Sequence, residues 1–342
     1  MNNQRNNVIE FYRYLFMLVL LAWHGNYGFF QHGYLVVEFF FILSGYLLMN
    51  SYLKKPKTAA QYTIDRLKRC YFEYFVASFL TFLYFGILYN CLKHTMSLEV
   101  VLKYLPEIFL VQSVGIFNGG YNYPMWYFSV LIVGGYFLYF LISRCKSWAT
   151  SFILPLLIVF SMVFLFNERD SIEDFAKYGP FYSPVIRGVA EMGIGIVLCA
   201  FAQSRYYKSI RESSIIYLSI CIDCISIVAL LLTFLCFLLP TAYDKYVLMT
   251  FPVIVLSAIQ NRGFLYRLFN TSLWNRLGGI TYEMFLIHAT VGSIFNNLAE
   301  ALGISHSIIC FIAYAFVVTF LAFAFKAICL KLQQRYFCTN RD

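Results

Sequence analysis

The stretch Val8–Tyr27 of the chain reads VIEFYRYLFMLVLLAWHGNY. A helix of about 20 predominantly apolar residues is long enough to cross the hydrocarbon core of a bilayer. A cleaved signal peptide also contains an apolar run, but this one includes Arg13 and His24, and no small-residue cleavage site follows it. Further apolar runs come after it. The stretch therefore predicts a first membrane-spanning helix that carries polar side chains.

Similar apolar runs fill the rest of the 342-residue chain. Charged residues make up 13% of the sequence, whereas soluble domains carry about 25%, so the bilayer must solvate most of the surface. We predict an all-α integral membrane protein, a bundle of about ten transmembrane helices, forming a single membrane domain over residues 1–342 with no separate soluble domain. The other predicted spans are Tyr34–Leu53, Tyr71–Asn90, Met125–Ser143, Ala149–Phe166, Pro184–Phe201, Ile215–Leu239, Tyr246–Gln260, Leu277–Leu298 and Ser307–Leu330.

The segment Tyr104–Gly120 is apolar but too short, and too rich in glycine, to cross the membrane as a helix. Non-helical backbone at membrane depth must be buried in protein or line a cavity. We therefore predict that this segment lies at the membrane interface or re-enters the membrane.

Lysine and arginine are distributed unevenly between the two predicted sides. Cytoplasmic loops carry an excess of these residues, so the N-terminus is placed inside. Eighteen then lie on the cytoplasmic side, namely Arg5, Lys54, Lys55, Lys57, Arg66, Lys68, Arg69, Arg144, Lys146, Arg205, Lys208, Arg211, Arg262, Arg267, Arg276, Lys331, Arg335 and Arg341. The five outer positions are Lys93, Lys103, Arg169, Lys177 and Lys245, and three lie within helices, Arg13, Arg187 and Lys326. This asymmetry predicts that both termini are cytoplasmic, and it explains the net charge of +9 without a nucleic acid partner.

Two polar residues of the first span share one helical face. Arg13 and His24 are eleven positions apart, which at 100° per residue returns to within about 20° of the same direction after about 16 Å of helix axis. A single intramembrane histidine can be a satisfied packing residue. Because charged residues in the bilayer are costly, two polar residues on one stripe favour a functional interpretation.

Further polar residues lie in or beside the spans. Glu38 is predicted at nearly the same depth as His24, across a short hairpin, where a carboxylate could orient a general-base histidine; a structural ion pair is the alternative. Arg66 and Arg69 at i and i+3 could bind phosphate together, or they could only anchor the helix on the cytoplasmic side. Arg187 and Glu191 are spaced for an i,i+4 salt bridge.

Other polar positions are less informative. Glu283 and His288 lie on the ninth span but do not share a face, and Asp223 has no obvious partner. The ten cysteines lie mostly in apolar runs, where cysteine behaves as a small apolar side chain. Only Cys221 and Cys224 have a ligand-like spacing, and without further ligands nearby no metal site is predicted.

Nucleotide-binding loops, zinc-protease motifs and serine nucleophile elbows are absent from the sequence. The side chains that remain for chemistry are histidine, carboxylates and arginine. These suit proton abstraction from a hydroxyl group and charge stabilisation during an acyl transfer.

Six segments, in order, resemble acyltransferase family 3, bacterial multi-pass enzymes that acylate surface polysaccharides and related glycans. The segments are VIEFYRYLFMLVLLAWHG (8–25), GYLVVEFFFILSGYLL (33–48), RLKRCYFEY (66–74), MWYFSVLIVGGYFLY (125–139), VIRGVAEMGIGIVL (185–198) and LGGITYEMFLIHA (277–289). Two positions depart from the family pattern: Leu131 stands where many members have Glu, and Phe72 where many have Pro.

The resemblance implies an O-acyltransferase of the bacterial cytoplasmic membrane. An acyl group, with acetyl-CoA as the expected donor substrate, would move from cytoplasmic acyl-CoA to a hydroxyl of a cell-surface or lipid-linked glycan. His24 would be the general base, oriented by Glu38. Arg13 would line the acyl-CoA path, and the pair Arg66 and Arg69 would bind the phosphates of CoA. No permanently bound cofactor is expected.

Five more residues are expected to line or support this pocket: Trp126, Arg187, Glu191, Tyr282 and His288. Two other classes of protein compete with this interpretation. A transporter or flippase of a lipid-linked glycan would also carry intramembrane charges, but inverted repeats and paired broken helices are not evident in the sequence. A purely structural membrane protein does not explain the polar stripe of the first helix. The sequence does not predict an oligomeric state.

The predicted topology can be tested with reporter fusions. A reporter inserted after Lys57 should be cytoplasmic, and one after Asp170 should be external, because the lysine and arginine bias assigns these loops to opposite sides. Reporter activity in intact cells measures both positions. The reverse pattern would contradict the predicted orientation.

Overall fold

The computed structural model describes residues 6–117, 120–168, 172, 175–178, 181–212, 216–304 and 307–337. Arg5, Arg169, Asp170 and Arg341, which the topology prediction uses, lie outside these residues. The structure is about 82% helical. Its α-helices are α1 (Asn7–His24), α2 (Val36–Lys54), α3 (Ala59–Thr81), α4 (Tyr89–Leu92), α5 (Leu98–Leu102), α6 (Leu105–Ile108), α7 (Trp126–Trp148), α8 (Leu154–Glu168), α9 (Ser183–Ala202), α10 (Arg205–Glu212), α11 (Ile216–Cys236), α12 (Val247–Ile259), α13 (Phe264–Phe269), α14 (Ser272–Gly278), α15 (Thr281–Ala301) and α16 (Ile308–Phe337).

Short irregular elements join or extend these helices. Two π-helical segments, Phe82–Leu88 and Ala149–Ile153, continue α3 and α7. The 3₁₀ turns are Gly33–Leu35, Tyr123–Met125 and Thr241–Tyr246. Strands β1 (Lys177–Tyr178) and β2 (Phe181–Tyr182) form an antiparallel pair.

Seven helical stretches among the described residues are long and apolar enough to cross a membrane, so the chain is a helical membrane protein. One of them, Tyr123–Asn167, contains two of the predicted spans, and Cys145 leaves helical geometry between them (φ −145°, ψ 54°). The helices α1 and α15, which correspond to the first and ninth predicted spans, are not among the seven. Both carry several polar side chains. The count of ten and the orientation of the termini stay predictions.

Helices α2 and α9 touch through their backbones. A Cβ atom at Gly45 would lie 1.9 Å from the carbonyl oxygen of Met192, and one at Gly195 would lie 1.9 Å from that of Ile42. Side chains larger than glycine cannot fit at either position. Small residues let membrane helices approach closely and gain van der Waals contact, and here they bring the polar residues of α2 and α9 together.

The segment between α5 and α7 packs against the middle of the helix Ala59–Leu92. Tyr71 and Tyr74 donate hydrogen bonds to the carbonyl oxygens of Ile108 and Glu107, at 2.9 and 2.7 Å. The buried carboxylate of Glu107 accepts from the Ser78 hydroxyl and from the backbone N–H of Tyr121, both at 2.6 Å. These bonds satisfy polar groups of an irregular segment inside the bundle, as a non-helical segment in a membrane protein requires.

The loop after α1 is held by hydrogen bonds to two other parts of the bundle. Tyr34 donates to the buried carboxylate of Asp244 at 2.5 Å, and His32 lies 2.9 Å from the Tyr34 hydroxyl. Asn296 of α15 donates to the carbonyl oxygen of Gly25 at 3.2 Å. The loop after α1 is therefore tied to α15 and to the 3₁₀ turn Thr241–Tyr246, which precedes α12.

Candidate functional site

The last residue of α1, His24, lies against His288 of α15. The distance between His24 Nδ1 and His288 Nε2 is 2.6 Å, and the ring centroids are 4.8 Å apart with the rings nearly parallel. His288 is fully buried, whereas His24 is half-buried. The two histidines, 264 positions apart in sequence, form the centre of the candidate site.

The hydrogen bonds of His288 determine which nitrogens of the pair carry protons. Its Nδ1 atom lies 2.8 Å from the carbonyl oxygen of Phe285. A carbonyl oxygen only accepts, so His288 Nδ1 bears the hydrogen, and in the neutral ring Nε2 is the acceptor. His24 Nδ1–H then donates to His288 Nε2. The lone pair of His24 is left on Nε2, which no hydrogen bond from the described residues reaches. A neutral histidine with an available Nε2 is a suitable general base.

The contacts described for Glu38 are with Arg187, and its predicted role beside His24 stays a prediction. Glu38 is completely buried and is bound by Arg187, with Nη2–Oε1 at 2.6 Å and Nε–Oε2 at 3.2 Å. Oε1 of Glu191 lies 3.4 Å from the same Nε atom of Arg187. The close contact of α2 with α9 brings Glu38 beside Arg187. A catalytic role for Glu38 stays a prediction.

Trp126 lies over this charged cluster. The guanidinium carbon of Arg187 is 5.6 Å from the centroid of the Trp126 ring, a cation–π geometry. Arg187 is 2% exposed, so its charge is balanced entirely by protein groups. The predicted supporting residues Trp126, Arg187 and Glu191 thus form one cluster with Glu38.

The predicted acyl-CoA-binding arginines have different surroundings. Arg13 is partly buried and paired with Glu10 at 2.8 Å. Arg66 is also partly buried, donates to the Tyr62 hydroxyl at 3.1 Å and faces Gly135 of α7. Arg69, by contrast, is exposed and donates to the carbonyl oxygen of Asp65. The structure therefore directs Arg66 and Arg69 to different environments.

Tyr127 is a residue near the site that the sequence analysis did not select. Its hydroxyl is 3.2 Å from the hydroxyl of Ser44. The Tyr127 ring contacts Phe285, the residue whose carbonyl binds His288. Only its position beside Trp126 in the family-like segment could have drawn attention to Tyr127.

Two more residues receive structural roles. Tyr282 donates to the carbonyl oxygen of Cys70 at 2.6 Å, which joins α15 to α3. Asp223 accepts the backbone N–H groups of Phe264 and Leu265, at 2.6 and 3.1 Å, at the start of α13. A carboxylate satisfies the free N–H groups of a helix start, so Asp223, for which the sequence offered no partner, joins α11 to α13.

The fold and this site together define a multi-pass helical membrane protein with a histidine pair suited to acid–base chemistry. A family model described as an acyltransferase domain matches residues 6–327. The chain belongs to the acyltransferase 3 family, as the six segments predicted. No curated protein and no solved structure matches the chain.

The buried cluster predicts a specific pattern of stability. Arg187→Met removes the cation that Glu38 and Glu191 both contact, and removing one partner of a buried ion pair costs about 3–5 kcal/mol. We expect a clear loss of thermal stability in detergent. The double variant Arg187→Met/Glu38→Gln should recover part of it, because one unpaired carboxylate is removed.

The matched control is Arg144→Met, which removes an exposed arginine of α7. This change should leave the unfolding temperature nearly unaltered. Equal unfolding temperatures for Arg187→Met and the wild type would contradict the assignment of the cluster as a buried ion pair.

Proposed function

We propose that the protein transfers an acyl group, with acetyl-CoA as the donor, to a hydroxyl group of a cell-surface or lipid-linked glycan in the bacterial cytoplasmic membrane. Membership of the acyltransferase 3 family supports the reaction class. The observation that carries the proposal is the hydrogen-bonded chain from Phe285 through His288 to His24, which leaves Nε2 of His24 available as a base.

The reaction needs one proton acceptor that later becomes a donor. Nε2 of His24 takes the proton of the acceptor hydroxyl while that oxygen attacks the thioester carbonyl. The tetrahedral intermediate then collapses, the bond between carbonyl carbon and sulfur breaks, and the proton on His24 neutralises the CoA thiolate. A positioned histidine typically contributes about 10²–10⁴-fold to such a step.

His288 acts on the reaction through His24. It accepts the Nδ1–H of His24, which keeps the ring orientation and the reactive tautomer constant during the proton transfers. The contact of Tyr314 with the carbonyl oxygen of His288, at 3.0 Å, steadies this turn of α15. His288 is therefore a positioning residue in the proposed mechanism.

The donor is proposed to enter from the side of Arg66 and Arg13. A guanidinium group binds phosphate oxygens through two parallel hydrogen bonds, and Arg66 is partly buried and donates to the Tyr62 hydroxyl through Nη1. The exposed Arg69 would meet the phosphates only at the mouth of the path. The described contacts thus rank Arg66 above Arg69 for acyl-CoA binding.

The histidine pair is tested by substitutions that separate its two members. His24→Ala should lower the rate of glycan acylation by about 10²–10⁴-fold while acetyl-CoA binding persists. His288→Ala should also lower the rate, because the tautomer of His24 is no longer selected. His288→Gln should retain more activity than His288→Ala, since its amide oxygen can accept the Nδ1–H. Radiolabelled acetyl transfer to glycan from a strain deleted for the gene measures all three.

Residues that act as one catalytic unit have non-additive effects. The double variant His24→Ala/His288→Ala should therefore be about as slow as His24→Ala alone. Near-normal transfer by folded His24→Ala protein would refute the general-base role.

The donor path predicts unequal effects for the two arginines. Arg66→Ala should weaken acetyl-CoA binding, measured on purified protein, by about tenfold or more, because charged hydrogen bonds contribute about 1.5–3 kcal/mol each. Arg66→Lys should restore little, because a point charge cannot form the paired contact. Arg69→Ala is the matched control and should have the smaller effect. Equal acetyl-CoA affinities for Arg66→Ala and wild type would contradict this role and would mean that Arg66 only anchors the helix on the cytoplasmic side.

A further inference from the structure

Tyr123 is an exposed aromatic residue beside the base. Its side chain is 57% exposed, yet its ring centroid is 5.2 Å from that of His24, with the two rings perpendicular. By contrast, Tyr34 and Tyr127, two other tyrosines near the site, are buried. Tyr123 is therefore placed where a ligand approaching His24 from outside the bundle would meet it.

The backbone that carries Tyr123 is rigidly held. Asn122, which precedes it, is 2% exposed and donates to the carbonyl oxygen of Leu286 at 2.9 Å. The backbone N–H of Asn122 is bound by the carboxylate of Glu107, and Met125 is bound by Gln112. The 3₁₀ turn Tyr123–Met125 is thus anchored two residues from His288 on α15. The chain holds an exposed ring in a constant position relative to the histidine pair.

Exposed tyrosines are also common at membrane interfaces, where the ring lies among lipid headgroups. Tyr89, which is 56% exposed, fits that role because its ring contact is with its own helical neighbour Lys93. Tyr123 differs, since its ring contacts the proposed catalytic histidine. An interfacial anchor does not require that contact.

The chemistry of the acceptor fits such a ring. One face of a pyranose sugar consists of C–H groups, whose partial positive charge is attracted to the electron-rich face of an aromatic ring. The hydroxyls of the sugar project from the edge of the pyranose ring that lies on the aromatic ring. A sugar lying on Tyr123 would therefore present a hydroxyl toward the adjacent ring of His24.

We propose that Tyr123 is the acceptor-positioning residue: a pyranose unit of the glycan stacks on its exposed surface and delivers one hydroxyl to His24. This inference rests on the proposed acyltransferase function and adds where the acceptor binds. It also separates the two substrates, with acyl-CoA on the side of Arg66 and the sugar on the side of Tyr123.

The test compares Tyr123→Leu, Tyr123→Phe and the wild type with labelled acetyl-CoA and glycan isolated from a strain deleted for the gene. Tyr123→Leu should raise the half-saturating glycan concentration by about fivefold to tenfold, the loss expected for one aromatic contact, with a smaller change in the maximal rate. Tyr123→Phe should remain close to wild type, because the aromatic face is kept. Acetyl-CoA binding should be unaltered in both.

Tyr243→Leu is the matched control, because Tyr243 is 44% exposed and also lies in a 3₁₀ turn, Thr241–Tyr246, predicted on the outer side. It should behave as wild type. An unchanged half-saturating glycan concentration in Tyr123→Leu, or weakened acetyl-CoA binding in that variant, would overturn the positioning role while wild-type transfer still supports the proposed function. Absence of transfer by the wild type would overturn the proposed function and this inference together.

Discussion

Arg187 is a full positive charge in a bundle that the bilayer surrounds, and much of the architecture follows from balancing it. Even a lenient insertion scale assigns about 2.5–3.5 kcal/mol to an arginine at the centre of a membrane helix. Glu38 supplies the bidentate partner, and it can reach Arg187 because Gly45 and Gly195 let the backbones of α2 and α9 touch. Trp126 then covers the guanidinium. One ion pair therefore joins α2, α9 and the start of α7.

The cost of burying polar groups without partners also constrains the irregular segment before α7. Its backbone turns back inside the bundle, so its polar groups need partners from protein. Tyr71, Tyr74 and Ser78 of α3 supply them, and the carboxylate of Glu107 closes the segment on itself. Satisfying these groups also determines where Asn122 and Tyr123 lie. The segment that looks least regular in the fold is thus the one that reaches the histidine pair.

A base histidine that donates to another histidine differs chemically from one that donates to a carboxylate. A carboxylate would favour the protonated base more strongly, but it would place a negative charge in the site before the reaction starts, at a large desolvation cost. The neutral His288 avoids that cost and still selects one tautomer of His24. Glu38 is instead bound by the guanidinium of Arg187, and Asp223 by two backbone N–H groups.

The sequence by itself determined the membrane class, most helix positions and the family, because hydropathy and helical periodicity are local properties of the chain. It also predicted His24 as a candidate base. It also indicated that residues 104–120 would not form an ordinary span. Only the tertiary structure decided that His24 meets His288, since 264 positions separate them and no spacing rule reaches that far. It likewise gave Glu38 to Arg187, because the partner of a buried charge depends on which helices touch, and that depends on side-chain packing along whole helix faces.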